Sequence, residues 1–172
     1  MRVERTFAFV DLCGFTSFTS THGDERAVDV LTRFRGAVRA IGSSHGVRIA
    51  KWLGDGAMFV STTREALVEA ILELAERNEE VGVTLSLRAG LAGGPVILFE
   101  GDDYIGGPVN LSARLCDVAS PRELLAAADL ADAVPPWAAA VAVGPRDISG
   151  FPVAVEVVRI EPAVAARVAS GG

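Results

Sequence analysis

The amino-acid sequence predicts an α+β domain, with a central, mainly antiparallel sheet flanked by helices. Short apolar strands recur in pairs around Gly54-Asp55-Gly56, Gly93-Gly94-Pro95 and Ile148-Ser149-Gly150. Strands joined by such tight turns pair antiparallel. Two long segments between the pairs repeat apolar residues at the helical period and need a sheet face to cover. The chain has 172 residues and is half apolar, enough for one domain with a full core.

The elements follow in order. Residues 5–11 read as a strand with a polar end, and 15–21 as a short helix start. Asp24-Glu25-Arg26 opens a long helix whose positions Ala27, Val28, Leu31, Phe34, Val38 and Ile41 share one face. It stops near Gly42 to Gly46. Residues 47–53 and 57–62 make a hairpin across Gly54-Asp55-Gly56. Thr63 then caps a helix over 64–80. Residues 83–91 and 95–99 read as a second hairpin, turning at Gly93-Gly94-Pro95. Gly106 to Asn110 opens a helix to about Cys116, since proline suits a first turn. A strand over 122–128, a short helix over 129–134 and a strand pair over 139–144 and 152–160 complete the order. One domain over 1–160 is expected, with the Ala-, Gly- and Val-rich tail 161–172 frayed.

Composition narrows the function. Net charge is −6 with scattered basic residues, so no nucleic-acid surface is expected. No apolar run reaches the ~18 residues of a membrane span. Charged Arg2, Glu4 and Arg5 run into the first strand, unlike a signal peptide. Cys13 and Cys116 are too few for a disulfide framework, and a cytoplasmic location is expected. His22 and His45 read as loop residues, which argues against zinc chemistry or a histidine base.

Asp11 and Asp55 each sit beside a glycine at the edge of a buried strand. A carboxylate there is costly unless paired, and a shared divalent cation is the simplest partner. Further on, Asn110 and Arg114 are one helical turn apart and can face one ligand. Taken singly, each has a plainer reading. Asp11 reads as a helix N-cap, Asp55 as a turn residue, Lys51 as a solvated strand residue and Asp103 as part of an acidic loop. Asn110 and Arg114 read singly as a cap and a surface charge. Six such coincidences at fixed spacing are hard to sustain together.

Three motifs carry a resemblance. Phe9-x-Asp11-x-x-Gly14-Phe15-Thr16, Lys51-x-x-Gly54-Asp55 and Asp103-x-x-Gly106-x-x-Val109-Asn110-x-x-x-Arg114 stand in the order found in class III nucleotide cyclases. The resemblance covers about residues 5–160 and implies a ferredoxin-like core. It implies that Asp11 and Asp55 hold two Mg²⁺ or Mn²⁺ ions, and that Lys51 and Asp103 read adenine. Asn110 would orient the ribose and Arg114 steady the charge on the α-phosphate. The backbone from Cys13 through Gly14 and Phe15 to Thr16 would cradle the terminal phosphates. Arg88 sits where the family often has a phosphate-binding arginine. The implied activity is conversion of ATP to 3′,5′-cyclic AMP and pyrophosphate in a homodimer with two shared sites.

Chemistry favours ATP independently. Lysine only donates and a carboxylate only accepts, which complements N1 and the 6-amino group of adenine. Guanine reverses both contacts, at roughly 1–3 kcal/mol for each buried group left unpaired. Guanylyl or mixed specificity, and a silent nucleotide-binding partner domain, are the alternatives. The chain departs from the family pattern at Ile105, where an aromatic is usual. It also departs at Gly150-Phe151, near the place of a phosphate-binding lysine, where Arg146 is the nearest cation.

Overall fold

A computed structural model describes residues 1–80 and 85–163. The order of elements is β1 (Arg2–Leu12), α1 (Phe15–His22), α2 (Asp24–His45), β2 (Arg48–Leu53), β3 (Gly56–Ser61) and α3 (Arg64–Glu80). Then come β4 (Leu87–Phe99), β5 (Asp103–Ile105), α4 (Gly107–Val118), β6 (Leu124–Ala127), a 3₁₀ turn (Ala128–Ala133), β7 (Ala138–Arg146) and β8 (Val155–Pro162). The sheet runs β2-β3-β1-β4-β6-β8-β7, with β5 paired to β4. Only β4 and β6 run parallel, so the expected mainly antiparallel α+β sheet is what forms. The first four strands, in the order β2-β3-β1-β4, make the ferredoxin-like core.

Strand alternation sets the two faces of the sheet. Ala8, Val10 and Leu12 of β1 join the large core that α2 and α3 cover. Phe7 and Phe9 point the other way, into a smaller core with Tyr104 and Val109. Asp11 falls on this second face by the same alternation. Helix α4 lies along it, with Leu111 and Leu115 packed against Leu125, Ile148 and Val157. Gly90 of β4 permits that approach, because a Cβ there would collide with the Ser112 carbonyl and the Cys116 amide.

The structure places His22 and His45 in the last turns of α1 and α2, not in loops, and it corrects one strand pairing. The expected hairpin at Gly93-Gly94-Pro95 does not form, and β4 is one continuous strand paired residue for residue with β1 from Leu12↔Leu87 to Arg2↔Ile97. Local turn chemistry loses to this long partner. On its other side β4 meets β6 at Ala89–Leu91 and β5 at Ile97–Phe99. Between those stretches one side is open, where a sheet tolerates proline. The turn falls instead at residues 100–102, where Glu100 and Gly101 have φ of 46° and 83°. At the other end β8 runs to Pro162, two residues past the expected boundary; the rest of that tail, from 164, lies outside the described residues. Among the described residues no helix is long and apolar enough to cross a membrane.

Candidate active site

Asp11 ends β1 with Gly56 of β3 opposite on one side and Arg88 of β4 on the other. Asp55 occupies the two-residue turn between β2 and β3, behind Gly54 at φ 65°. The turn is tied to β1 where the Leu12 N–H donates to the Asp55 carbonyl at 3.2 Å. Both carboxyls therefore reach the same end of the sheet and line one cleft. Burial pushes the Asp55 carboxyl above the ordinary carboxylate range, and the charge of Asp11 adds to the rise. Asp11 is not a helix cap, since α1 starts after Gly14 with no side-chain cap.

Arg88 answers Asp11. Its Nη2 and Nε donate to Asp11 Oδ2 at 2.9 and 3.3 Å. Its Nη1 donates to the Asp117 carbonyl at 2.9 Å and, more weakly, to that of Ala119 at 3.5 Å, at the end of α4. One guanidinium thus joins a carboxylate of the pair to the helix that carries Asn110 and Arg114. Arg88 sits beside the expected phosphate loop, but its donors point at Asp11 and α4.

Helix α1 opens directly beside the pair. The first helical bond runs from the Phe18 N–H to the Gly14 carbonyl, which leaves the N–H groups of the first turn free for an anion. The Cys13 N–H is engaged, donating to the Ser86 carbonyl at 2.8 Å. The available donors are thus centred on Phe15, Thr16 and Ser17. Ser17 was missed in the sequence, although counting three free amides from Phe15 points to it. These residues, with Asp11, Asp55, Arg88, Ala119 and Pro121, line a cleft of about 390 Å³. Burial raises the Cys13 thiol above its usual value, Arg88 lowers it, and the two aspartates raise it further.

Lys51, Asp103, Asn110 and Arg114 do not line this cleft. They are exposed residues on the face that α4 and the β4–β5 hairpin share. Lys51 Nζ meets Asp103 Oδ1 at 2.9 Å, across from β2 to β5. A bulge between Ile49 and Lys51 shifts the register of β2, and bulges re-aim side chains in this way. Arg114 keeps a loose contact of 3.7 Å with Asp117, and among the described residues the side-chain amide of Asn110 makes no hydrogen bond. Arg146 ends β7, exposed, with no acidic partner among the described residues.

The donor set fits hard divalent cations. Two carboxylates face one another with a single guanidinium beside them, which leaves negative charge for a cation to offset. Among the described residues no group of three or more histidine, cysteine or acidic side chains is placed to hold a metal ion, so water or substrate oxygens must complete any coordination. A cavity of about 450 Å³ between α3 and β8 is larger, but both of its arginines are already paired, Arg122 with Glu79 and Arg159 with Glu161.

No family model matches the sequence. The chain is similar to an uncharacterised protein of Mycobacterium tuberculosis, 42% identical over 143 residues, covering 83% of this chain and 37% of the relative. It is 31% identical over 175 residues to a pH-sensitive adenylate cyclase of Mycobacterium tuberculosis, covering 97% of this chain and 43% of that protein. It thus spans less than half the length of these relatives. Among solved structures, the adenylyl cyclase CyaB from P. aeruginosa superimposes with a TM-score of 0.84 at 23% identity, covering 95% of this chain and 96% of that one. The guanylate cyclase domain of RhGC from Catenaria anguillulae, in complex with GTP, gives 0.82 at 17% identity, covering 94% and 98%. At these identities the superpositions speak for the fold.

Proposed function

Because this chain belongs to the class III nucleotide cyclases, we propose that it converts ATP to 3′,5′-cyclic AMP and pyrophosphate at sites shared between two copies. One observation carries the reading. The carboxylate pair and free amides of α1 form one cleft, and the base, ribose and phosphate residues stand outside it on an exposed face. Each chain presents two incomplete halves, which a two-fold axis can complete.

Asp11 and Asp55 would hold two divalent cations, Mg²⁺ or Mn²⁺. When bound, such ions acidify the ribose 3′-hydroxyl and neutralise the leaving pyrophosphate. The residues of the chain do the rest by positioning. The α1 amides hold the terminal phosphates through the helix N-terminus. Asn110 orients the ribose so that its 3′-oxygen lies in line with the α-phosphate. Arg114 places fixed positive charge where charge develops on that phosphate, and such positioning and charge are most of what phosphoryl transfer needs. Lys51 donates to adenine N1 and Asp103 accepts from the 6-amino group. Their 2.9 Å contact shows that both reach one point, so the base inserts between groups already aimed together.

The test is product identity. Purified protein with Mn²⁺ and either ATP or GTP is analysed by chromatography and mass spectrometry. Cyclic AMP from ATP, abolished by Asp11→Ala or Asp55→Ala, is the expected result. Cyclic GTP product in excess reassigns the base pocket, and no cyclic product from a folded dimer refutes the activity.

A further inference from the structure

Arg35 belongs to none of the motifs, yet it reaches the turn that carries Asp55. From α2 its Nη2 donates to the Gly54 carbonyl at 3.2 Å. Its guanidinium lies over the Trp52 ring, 4.9 Å from the centroid. Its Nε is buried without a hydrogen-bond partner, so stacking on Trp52 and the bond to Gly54 fix its position. Arg39, one turn later, stacks on the same ring at 5.1 Å but donates nothing to the turn. Among the described residues neither arginine has an acidic partner.

Gly54 holds a left-handed φ, and Asp55 follows it directly. The Asp55 carbonyl in turn accepts from Leu12, the neighbour of Asp11. The turn is thus held on one side by Arg35 and on the other by β1. A carboxylate forced towards a second carboxylate needs such a clamp, because repulsion between them favours turning Asp55 outward.

We infer that Arg35 is a positioning residue for Asp55, and that its bond to the Gly54 carbonyl sets how tightly the carboxylate pair binds a divalent cation. This rests on the metal reading of Asp11 and Asp55. A guanidinium stacked on an indole loses little freedom in making the bond, so the contact is a stiff one.

The experiment uses the whole chain without nucleotide. Mn²⁺ binding is measured by calorimetry, and amide hydrogen exchange at Leu12 by NMR in metal-free protein. Arg35→Met should weaken Mn²⁺ binding about fivefold, the scale of one lost hydrogen bond, and speed exchange at Leu12. Arg35→Lys, which keeps a donor, should recover part of both. Arg39→Met removes only stacking and should change neither. Unchanged Mn²⁺ affinity and exchange in a folded Arg35→Met protein overturn the inference, as does an equal effect from Arg39→Met. Should the native chain show no Mn²⁺ binding that Asp55→Ala removes, the metal reading itself fails and the inference with it. Binding in the native chain that Arg35→Met leaves intact overturns the inference alone.

Discussion

Replacing Arg88 with methionine should destabilise the metal-free protein and make it unusually responsive to Mn²⁺. The substitution keeps the aliphatic bulk and removes the charge. Asp11 and Arg88 are 28% and 25% exposed, so the ion pair is mostly buried yet still partly screened. Two donors to Asp11 and the 2.9 Å bond to the end of α4 disappear together. Charged hydrogen bonds contribute about 1.5–3 kcal/mol each when removed singly, but three from one group do not add. Screening reduces the sum further. A net loss of about 2–3 kcal/mol follows, a fall in Tm of roughly 5–10 °C for a chain of this size. Asp11 is then left facing Asp55 without a counter-charge, so a cation gains what Arg88 gave up. Saturating Mn²⁺ should raise the Tm of Arg88→Met more than that of the native protein. Calorimetric unfolding with and without Mn²⁺ measures both effects. A metal-free Tm within about 2 °C of the native value refutes the assigned role, as does an equal Mn²⁺ response in the two proteins.

The raised pKa of Asp55 gives a prediction of opposite sign. Its protonated form is favoured in the fold, so its contribution to stability is present below the unfolded value and lost as pH rises through the folded one. Asp55→Asn should therefore be more stable than the native metal-free protein at neutral pH, converge with it in acid, and bind no Mn²⁺; chemical denaturation across pH checks this. Lys51→Glu combined with Asp103→Cys should lower the ATP-to-GTP ratio of kcat/KM by at least about tenfold, and an unchanged ratio removes both residues from the base pocket. Burial pushes the Cys116 thiol up to about 12, with Asp11 adding to it, so a thiol reagent at pH 8 should label Cys13 first and Cys116 only after unfolding. Equal labelling rates in the folded protein contradict the packing of α4 on Gly90.

Much of this was legible in the sequence because it was local. The extent of α2, the spacing of Asn110 and Arg114, and the Gly54-Asp55 turn each depend on neighbours in the chain and form as expected, although the buried face of α2 takes Val30 and Ala37 and leaves the expected Val28 exposed. What escaped depends on pairing between distant strands. Gly93-Gly94-Pro95 reads as a turn until β1 lies beside it, and β5 is only three residues long, too short for a periodic signal. The bond between Arg88 and Asp11 is a cross-strand contact set by the register of β1 and β4. Arg35 reaches Gly54 only because α2 crosses behind β2. Motif spacing points to candidate residues, and the sheet decides which of them meet within one chain.

Complementation between two inactive variants tests the division of each site between two copies. Asp11→Ala and Arg114→Ala should each be nearly inactive alone, since one disables the metal half and the other the phosphate half of every site. In a mixed dimer one site collects both substitutions and the other collects none. Mixing the two proteins under conditions where subunits exchange should return up to about half of native activity per heterodimer, or about a quarter overall at random exchange. The restored rate should climb faster than linearly with protein concentration where dimers dissociate. Demonstrated exchange with no recovery of cyclic AMP formation would mean that Asp11 and Arg114 act within a single chain, and the shared site would have to be abandoned.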